Sequence, residues 1–359
     1  MNTIVMTTNE NDAFTKASEI LQRGGLVAFP TETVYGLGGD ALDPDASRKI
    51  YAAKGRPSDN PLIVHIADKA DVYKLAAEVP PVAEKLMERF WPGPMTIIFK
   101  KKPIVPDATT GGLDTVAIRM PSHPDAARLI SESGVYIAAP SANTSGRPSP
   151  STAQHVIEDL EGKIDMILDG GVVDIGIESS IIDVTGEIPS ILRPGYITKA
   201  DFEEIIGDVT IDPAIIHPDP SLRPKAPGMK YTHYAPKGSL TIIEDSDKPA
   251  EVTKAVIDEI NRMAAEERSA GRKVVILTTA DNKDDYISEG TEDLILLGET
   301  GSGEEVAKRL YSALRECDDL GADIILSESF RRDKFGGAIM NRLLKAAGQK
   351  VIFVPEETE

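Results

Sequence analysis

Residues 54–65 read K-G-R-P-S-D-N-P-L-I-V-H. Lys54 and Arg56 flank a glycine, and Pro57 forbids any continuing helix. A polar turn, Ser58 to Pro61, leads into the β-like run Leu62 to Ile66, which carries His65. Helix end, turn and strand start in twelve residues mark an α/β chain. Such junctions are also where main-chain and side-chain donors converge on ligands. Taken alone, the stretch reads better as an ordinary helix C-terminus, where cations favour the negative end of the dipole.

Working outward, Asn11 to Gln22 has helical apolar spacing and stops at Gly24-Gly25, and Leu26 to Phe29 is a strand. It runs into P-T-E-T-V-Y-G-L-G, residues 30–38, where hydroxyls stand beside glycines that would let a ligand approach the backbone. Pro44 to Ala53 is a helix with Asp45 as its candidate N-cap. Further strands are expected at 62–66, 95–99, 115–119, 135–138, 165–168, 180–184 and 190–192. Helices are expected at 70–78, 81–90, 124–131 and 152–160. Together these form one α/β domain, residues 1–208. Its strand ends carry W-P-G-P (91–94), A-I-R-M-P (117–121), A-P-S-A-N-T-S-G-R-P-S (139–149), G-I-E-S-S (176–180) and L-R-P-G (192–195). Loops at strand ends are where α/β folds build sites.

Composition shifts at residues 209–238. Pro213, Pro218, Pro220, Pro224, Pro227 and Pro236 forbid helix and indicate an extended linker. Within it, A-P-G-M-K-Y-T-H-Y-A-P (226–236) is too rich in Lys, Tyr and His for a solvated spacer and is expected to dock on the active site. Residues 239–359 alternate strands (240–243, 274–277, 294–297, 323–326, 351–354) with helices (250–270, 304–319, 337–347). That order implies a smaller Rossmann-like domain with a parallel sheet and right-handed crossovers. Gly298 to Gly303 has phosphate-loop glycine spacing, but Glu304 and Glu305 would repel phosphate, so it reads as a strand-to-helix turn. Asn341 and Arg342 on the last helix read as structural.

At 359 residues the chain is long for one domain, and 41% apolar content provides ample core. A net charge of −19 argues against coating nucleic acid, which needs a broad basic surface, yet leaves room for a small basic pocket. One cysteine, Cys317, precludes an internal disulfide framework and Cys-rich zinc sites, and its place on an amphipathic helix indicates packing. No signal-peptide pattern opens the chain and no run approaches the roughly 18 apolar residues of a membrane span, so a cytoplasmic location is expected.

These loops carry a resemblance. P-T-E-T-V-Y-G-L-G, K-G-R-P with N-P-L and His65, F-W-P-G-P-M-T, A-I-R-M-P, A-P-S-A-N and L-R-P-G occur in the order seen in the YrdC-domain family. The P-G-M-K-Y-T-H-Y-A-P linker and the terminal A-I-M-N-R-L resemble the long, two-domain threonylcarbamoyl-AMP synthases. The match spans nearly the whole chain. Ser180 stands where the family's E-S-T has Thr, and Ala226 where its linker motif starts with Ser.

The resemblance implies a twisted YrdC-like catalytic domain and a nucleotidyltransferase that joins L-threonine, bicarbonate or CO2 and ATP into threonylcarbamoyl-AMP and pyrophosphate. A separate transferase complex would then pass the group to tRNA, beside the anticodon, which leaves room for a transient tRNA contact. It places threonine at Thr33, His65, Arg119, the backbone near Ala139, and Ser179. It places ATP at Arg56, Asn60, Thr115, Ser141, Ser149 and Arg193, with Lys230 and Tyr231 of the linker closing over the nucleotide. Lys54 and Arg56 would meet the developing phosphate charge, and Arg119 would grip the threonine carboxylate in a fork. Mg²⁺ is expected with ATP, held through phosphates and water rather than by a protein metal site. Glu32 and Glu178 read equally as groups supporting the ligand contacts or facing the pyrophosphate, and as N-caps or solvent-facing carboxylates. Two rivals are weaker. A carbamoyl-transfer maturase of hydrogenases needs paired-Cys zinc motifs absent here, and a non-catalytic RNA-binding module is disfavoured by the charge.

Overall fold

Strands form where β-branched residues cluster, and helices where apolar residues recur every three or four positions. The first half contains β1 (Ile4–Thr7), α1 (Ala13–Gln22), β2 (Val27–Phe29), β3 (Gly36–Asp40), α2 (Pro44–Lys54) and β4 (Ile63–His65). There follow α3 (Val72–Leu75), α4 (Pro81–Phe90), β5 (Met95–Lys100), β6 (Thr115–Arg119), α5 (Pro124–Ser133), β7 (Ile137–Ala138) and α6 (Ala153–Leu160). β8 (Met166–Asp169), β9 (Ser180–Asp183), β10 (Ser190–Arg193), α7 (Lys199–Ile206) and β11 (Thr210–Ile211) complete it. The computed structural model describes residues 2–215, 224–229, 233–249, 251–288, 290, 293–299, 301–330 and 334–355. The chain divides into two units, 1–145 with 149–231, and 146–148 with 232–359.

In the first unit the strands form one mixed sheet, ordered β1-β8-β2-β3-β7-β4-β6-β5-β9-β10-β11. Alternation along its central strands sorts side chains to two faces. Val64, Ile97, Val116, Ile118 and Ile182 enter the main core, while Ile63, Ile98, Ala117, Ile181 and Leu192 form a second apolar layer on the other face. Ala226 and Met229 of the linker are buried in that second layer. Each fully buried Ile there contributes about 1.5–3 kcal/mol.

Several expectations are corrected. The glycines of residues 36–39 do not open a path to a ligand. They form β3, and a Cβ on Gly38 would stand 2.7 Å from Ile137 Cγ2 and 2.9 Å from Phe29 Cε1, so the missing side chain makes room for core packing. The N-cap of α2 is Asp43, whose Oδ1 accepts the Asp45 N–H at 2.8 Å, with Pro44 in the first helical position. The helix expected at 70–78 shrinks to a 3₁₀ turn at Lys69–Asp71 and α3, because Ala76 turns extended, at φ −87° and ψ 135°, and ends it. The exposed edge strands β1 and β11 and the helix α7 were not anticipated.

The second unit contains β12 (Ser239–Asp245), α8 (Lys254–Ser269), β13 (Val274–Thr278), β14 (Leu294–Leu296), α9 (Gly303–Asp319), β15 (Ile324–Glu328), α10 (Gly336–Ala346) and β16 (Val351–Val354). Every strand pair is parallel, in the order β14-β13-β15-β12-β16. The glycine-rich turn before α9 is closed by Ser302, whose Oγ accepts the Glu305 N–H. Cys317 is buried, and burial pushes its thiol up, as expected of a packing residue. Asn341 and Arg342 are buried on α10.

Candidate active site

Helix α2 ends as an αL cap. Gly55 has φ 62°, its N–H reaches Ala52 O, and the Arg56 N–H reaches Tyr51 O at 2.9 Å. The helix-end reading of the K-G-R-P stretch is therefore correct as far as the backbone goes. Its two cations nevertheless turn inward and are buried. Lys54 Nζ donates to Ser141 O at 2.5 Å, to Asn143 O, and to Asn143 Oδ1 at 3.3 Å, tying α2 to the A-P-S-A-N turn. Arg56 donates to Asn60 O at 3.3 Å and to Pro61 O at 3.1 Å, so it folds the polar turn around itself. Asn60 is buried, and its Oδ1 lacks a hydrogen-bond partner among the described residues.

A second cluster lies along one row of the sheet. Parallel pairing sets His65 beside Arg119, and antiparallel pairing sets Arg119 beside Thr96. These side chains share the face of Ile63, Ala117 and Ile98, two residues away on each strand, so a polar rim edges the apolar floor. A bulge in β10 lets Leu192 and Arg193 oppose Ile181 together, bringing both onto that face. Arg193 Nε then donates to Ser179 O at 3.0 Å and its Nη2 to Ser179 Oγ at 3.1 Å, while Ser179 Oγ and Thr96 Oγ1 are 2.7 Å apart. Ser149 Oγ donates to Glu178 Oε1 at 2.6 Å, beside Ser179. The Ala139 N–H is bonded to Ile63 O at 2.8 Å.

Arg119 is the centre of this row. Its Nη1 donates to Thr33 Oγ1 at 2.9 Å. The Thr31 hydroxyl proton is committed to Val34 O at 2.7 Å, so Thr33 passes its own proton to Thr31 Oγ1 at 2.9 Å. Arg119 Nη2 stands 2.8 Å from Glu32 Oε1 as an ion pair without hydrogen-bond alignment. Nε and Nη2, the two donors on one edge of the guanidinium, are buried and make no aligned hydrogen bond among the described residues. That edge is the shape of a carboxylate fork. Burial alone would raise the Glu32 carboxyl, but the Arg119 guanidinium and the main-chain N–H groups of Glu32 and Ser122 outweigh it and hold it below its ordinary value.

His65 is buried against Phe29 in a T-shaped contact. Its Nδ1 faces two carbonyl oxygens, Ile63 O at 3.1 Å and Ile137 O at 3.3 Å, so Nδ1 carries the proton. Burial, reinforced by Arg119, pushes its pKa down to about 3, so the ring is neutral and Nε2 is a hydrogen-bond acceptor.

The structure thus gathers Thr33, His65, Arg119, Ser179 and Arg193, with Ser149 joined through Glu178. Lys54 with Ser141, and Arg56 with Asn60, form adjoining clusters of the same unit. Thr115 stands apart, at the opposite end of β6 from Arg119, about 13 Å along the strand on the same face. Lys230 and Tyr231 lie outside the described residues. Sequence reasoning did not single out Asn143, which holds Lys54, or Thr96, which holds Ser179, although both fall within quoted motifs. The signal for Thr96 is a lone hydroxyl one residue before the run Ile97-Ile98-Phe99. Ser180 is not part of the rim: its hydroxyl donates to Ile197 O at 2.6 Å and accepts the Ile197 N–H at 3.0 Å.

Residues 19–195 match the family model described as telomere recombination (Sua5, YciO and YrdC). Residues 197–348 match the model described as threonylcarbamoyl-AMP synthase, C-terminal domain. The chain is 46% identical over 338 residues to the threonylcarbamoyl-AMP synthase of Pyrococcus abyssi, covering 94% of this chain and 95% of that protein. It is 48% identical over 338 residues to that of Bacillus subtilis, covering 94% and 93%. The fold is similar to the crystal structure of P. abyssi Sua5 complexed with L-threonine, with a TM-score of 0.89 and 44% identity over 99% of this chain and 100% of the other.

Proposed function

The chain belongs to the threonylcarbamoyl-AMP synthase family, and on that premise we propose that it is a nucleotidyltransferase condensing L-threonine, bicarbonate or CO2, and ATP into threonylcarbamoyl-AMP and pyrophosphate. The observation that carries this reading is the buried, unaligned Nε–Nη2 edge of Arg119, set among Thr33, His65 and Ser179. Glu32 Oε1 reaches Nη2 at 2.8 Å without alignment, so the edge is neutralised but its hydrogen bonds are not made among the described residues, which is costly for a buried group unless a further acceptor completes them. An amino-acid carboxylate does so bidentately.

The threonine ammonium gives up two protons to solvent as its nitrogen bonds to the carbon of CO2, leaving a carbamate that keeps one N–H. A carbamate oxygen attacks the α-phosphorus, and the bond from phosphorus to the bridging oxygen breaks with its electron pair leaving on pyrophosphate. This chain's residues hold the two anions together and spread the charge that develops. Arg119 holds the threonine carboxylate, and neutral His65 accepts a hydrogen bond at Nε2 from the amine or hydroxyl. Arg193 holds Ser179 and faces the phosphates, with Arg56 and Asn60 on the other side. Lys54 shapes the Ser141 turn while adding positive charge. The base lies toward Thr115, beside the apolar floor that the linker segment carrying Ala226 and Met229 covers. ATP enters as its Mg²⁺ complex, the ion held by phosphates and water. Among the described residues no three His, Cys, Asp or Glu side chains converge on a metal position. The product is handed to a transferase acting on tRNA.

The test is pyrophosphate release from ATP, Mg²⁺ and bicarbonate with a panel of amino acids. Release that depends on threonine and on bicarbonate supports the assignment, and no release with any amino acid would sink it.

A further inference from the structure

Glu32 places a buried carboxylate beside the guanidinium fork of Arg119. Its side chain is 6% exposed, and that of Arg119 5%. Oε1 stands 2.8 Å from Arg119 Nη2, and neither Oε1 nor Oε2 makes an aligned hydrogen bond among the described residues. Burial would raise the carboxyl, but Arg119 outweighs it, so Glu32 is ionised at neutral pH. Buried lone pairs without donors cost free energy. Glu32 is the one ion-pair partner of Arg119 among the described residues. Around the pair, Thr33 and Ser179 bring hydroxyls, His65 a neutral ring, and Arg193 a second cation.

A substrate carboxylate forked on Nε and Nη2 would share Nη2 with Glu32. Two anions that close repel, unless a cation lies between them. An α-amino acid brings that cation itself, because its nitrogen lies on the order of 3 Å from its own carboxylate oxygens. The unfilled lone pairs of Glu32 then accept from the ammonium. An ammonium carries three donors, so Glu32 takes one without displacing a contact to His65 Nε2.

We propose that Glu32 binds the α-ammonium of the amino-acid substrate and so selects α-amino acids over acids that lack the amine. The proposal deepens the reading of Arg119 as the carboxylate fork and rests on it. Arg119 and Glu32 form a plus–minus pair matched to the opposite charges of one zwitterion. Removing the Glu32 charge frees Arg119 for the carboxylate while taking away the partner of the ammonium. A single affinity mixes the two effects, and a comparison of two ligands separates them.

The test is calorimetric titration, without nucleotide, of threonine and of 2,3-dihydroxybutanoate, in which a hydroxyl replaces the ammonium. The wild type is expected to prefer threonine by at least about 10-fold. In Glu32→Gln that preference is expected to shrink about 10-fold, the loss of one charge-assisted hydrogen bond. Glu32→Asp keeps the charge one methylene further back, and its preference should fall between the two. A preference unchanged in Glu32→Gln overturns the proposal, whether both ligands bind more tightly or less. A role confined to neutralising or bracing Arg119 acts on both ligands alike. If Glu32→Gln does not fold, Glu32→Asp decides, and a preference equal to the wild type's overturns the proposal. A wild type that binds both ligands alike also overturns it. Wild-type protein that binds neither ligand would overturn the reading of Arg119, and this one with it.

Discussion

Arg119 Nη1 donates to Thr33 Oγ1 at 2.9 Å across 86 residues of sequence, joining a strand end to the loop after β2. That bond uses one edge of the guanidinium and leaves the Nε–Nη2 edge to face Glu32 and the pocket. Arg119→Lys keeps the charge and loses the fork. Threonine affinity should fall about 10–100-fold, as expected for one or two charge-assisted hydrogen bonds, with the circular dichroism spectrum unchanged. Calorimetric titration with threonine checks this, and an unaltered Kd would remove Arg119 from the carboxylate site.

His65 links folding to acid. The folded ring stays neutral until about pH 3, whereas an unfolded histidine takes up its proton near 6.5. Between these values only the unfolded chain binds the proton, so stability falls as pH drops, by up to about 1.4 kcal/mol per pH unit. Urea unfolding at pH 6.5 and pH 5.0 should show about 1.6 kcal/mol more loss for the wild type than for His65→Asn. Equal losses would mean that the ring is not held neutral.

Met229 should hold the linker on the apolar floor. Met229→Asp puts a carboxylate among Ile63, Ile98 and Leu192, at a cost of about 2–4 kcal/mol, enough to detach the segment. Tryptic cleavage after Lys225 should then accelerate while the first unit remains folded. An unchanged cleavage rate would contradict this docking.

Gly195 is required by crowding. A Cβ there would lie 2.5 Å from Ser180 N and 2.7 Å from Ser180 Oγ, against the hydroxyl that holds Ile197. Gly195→Ala should destabilise the protein by about 1–3 kcal/mol, read as a lower Tm. Unchanged Tm would show that the β9–β10 rim is looser than drawn.

Much of the site was legible because strand periodicity carries it. Thr115–Arg119 was bounded correctly, and alternation along it puts Arg119, Ala117 and Thr115 on one face. Positions depending on tertiary crowding were not. The glycines after Tyr35 read as ligand approach but make room for Phe29 and Ile137, neither of them near in sequence to Gly38. The Arg193 bulge adds one unpaired residue that no local pattern announces. The bond from Arg315 to Pro148 O spans 167 residues and comes from a buried arginine, a residue type that usually marks the surface.

We propose that one site joins threonine, a bicarbonate carbon and AMP in a single molecule. Incubation with ¹⁴C-bicarbonate, threonine, ATP and Mg²⁺, followed by chromatography and mass measurement, tests this. The prediction is a product that carries the label, threonine and AMP together, formed one for one with pyrophosphate and lost in Arg56→Ala protein that remains folded. AMP and pyrophosphate released without incorporation of the label would contradict it.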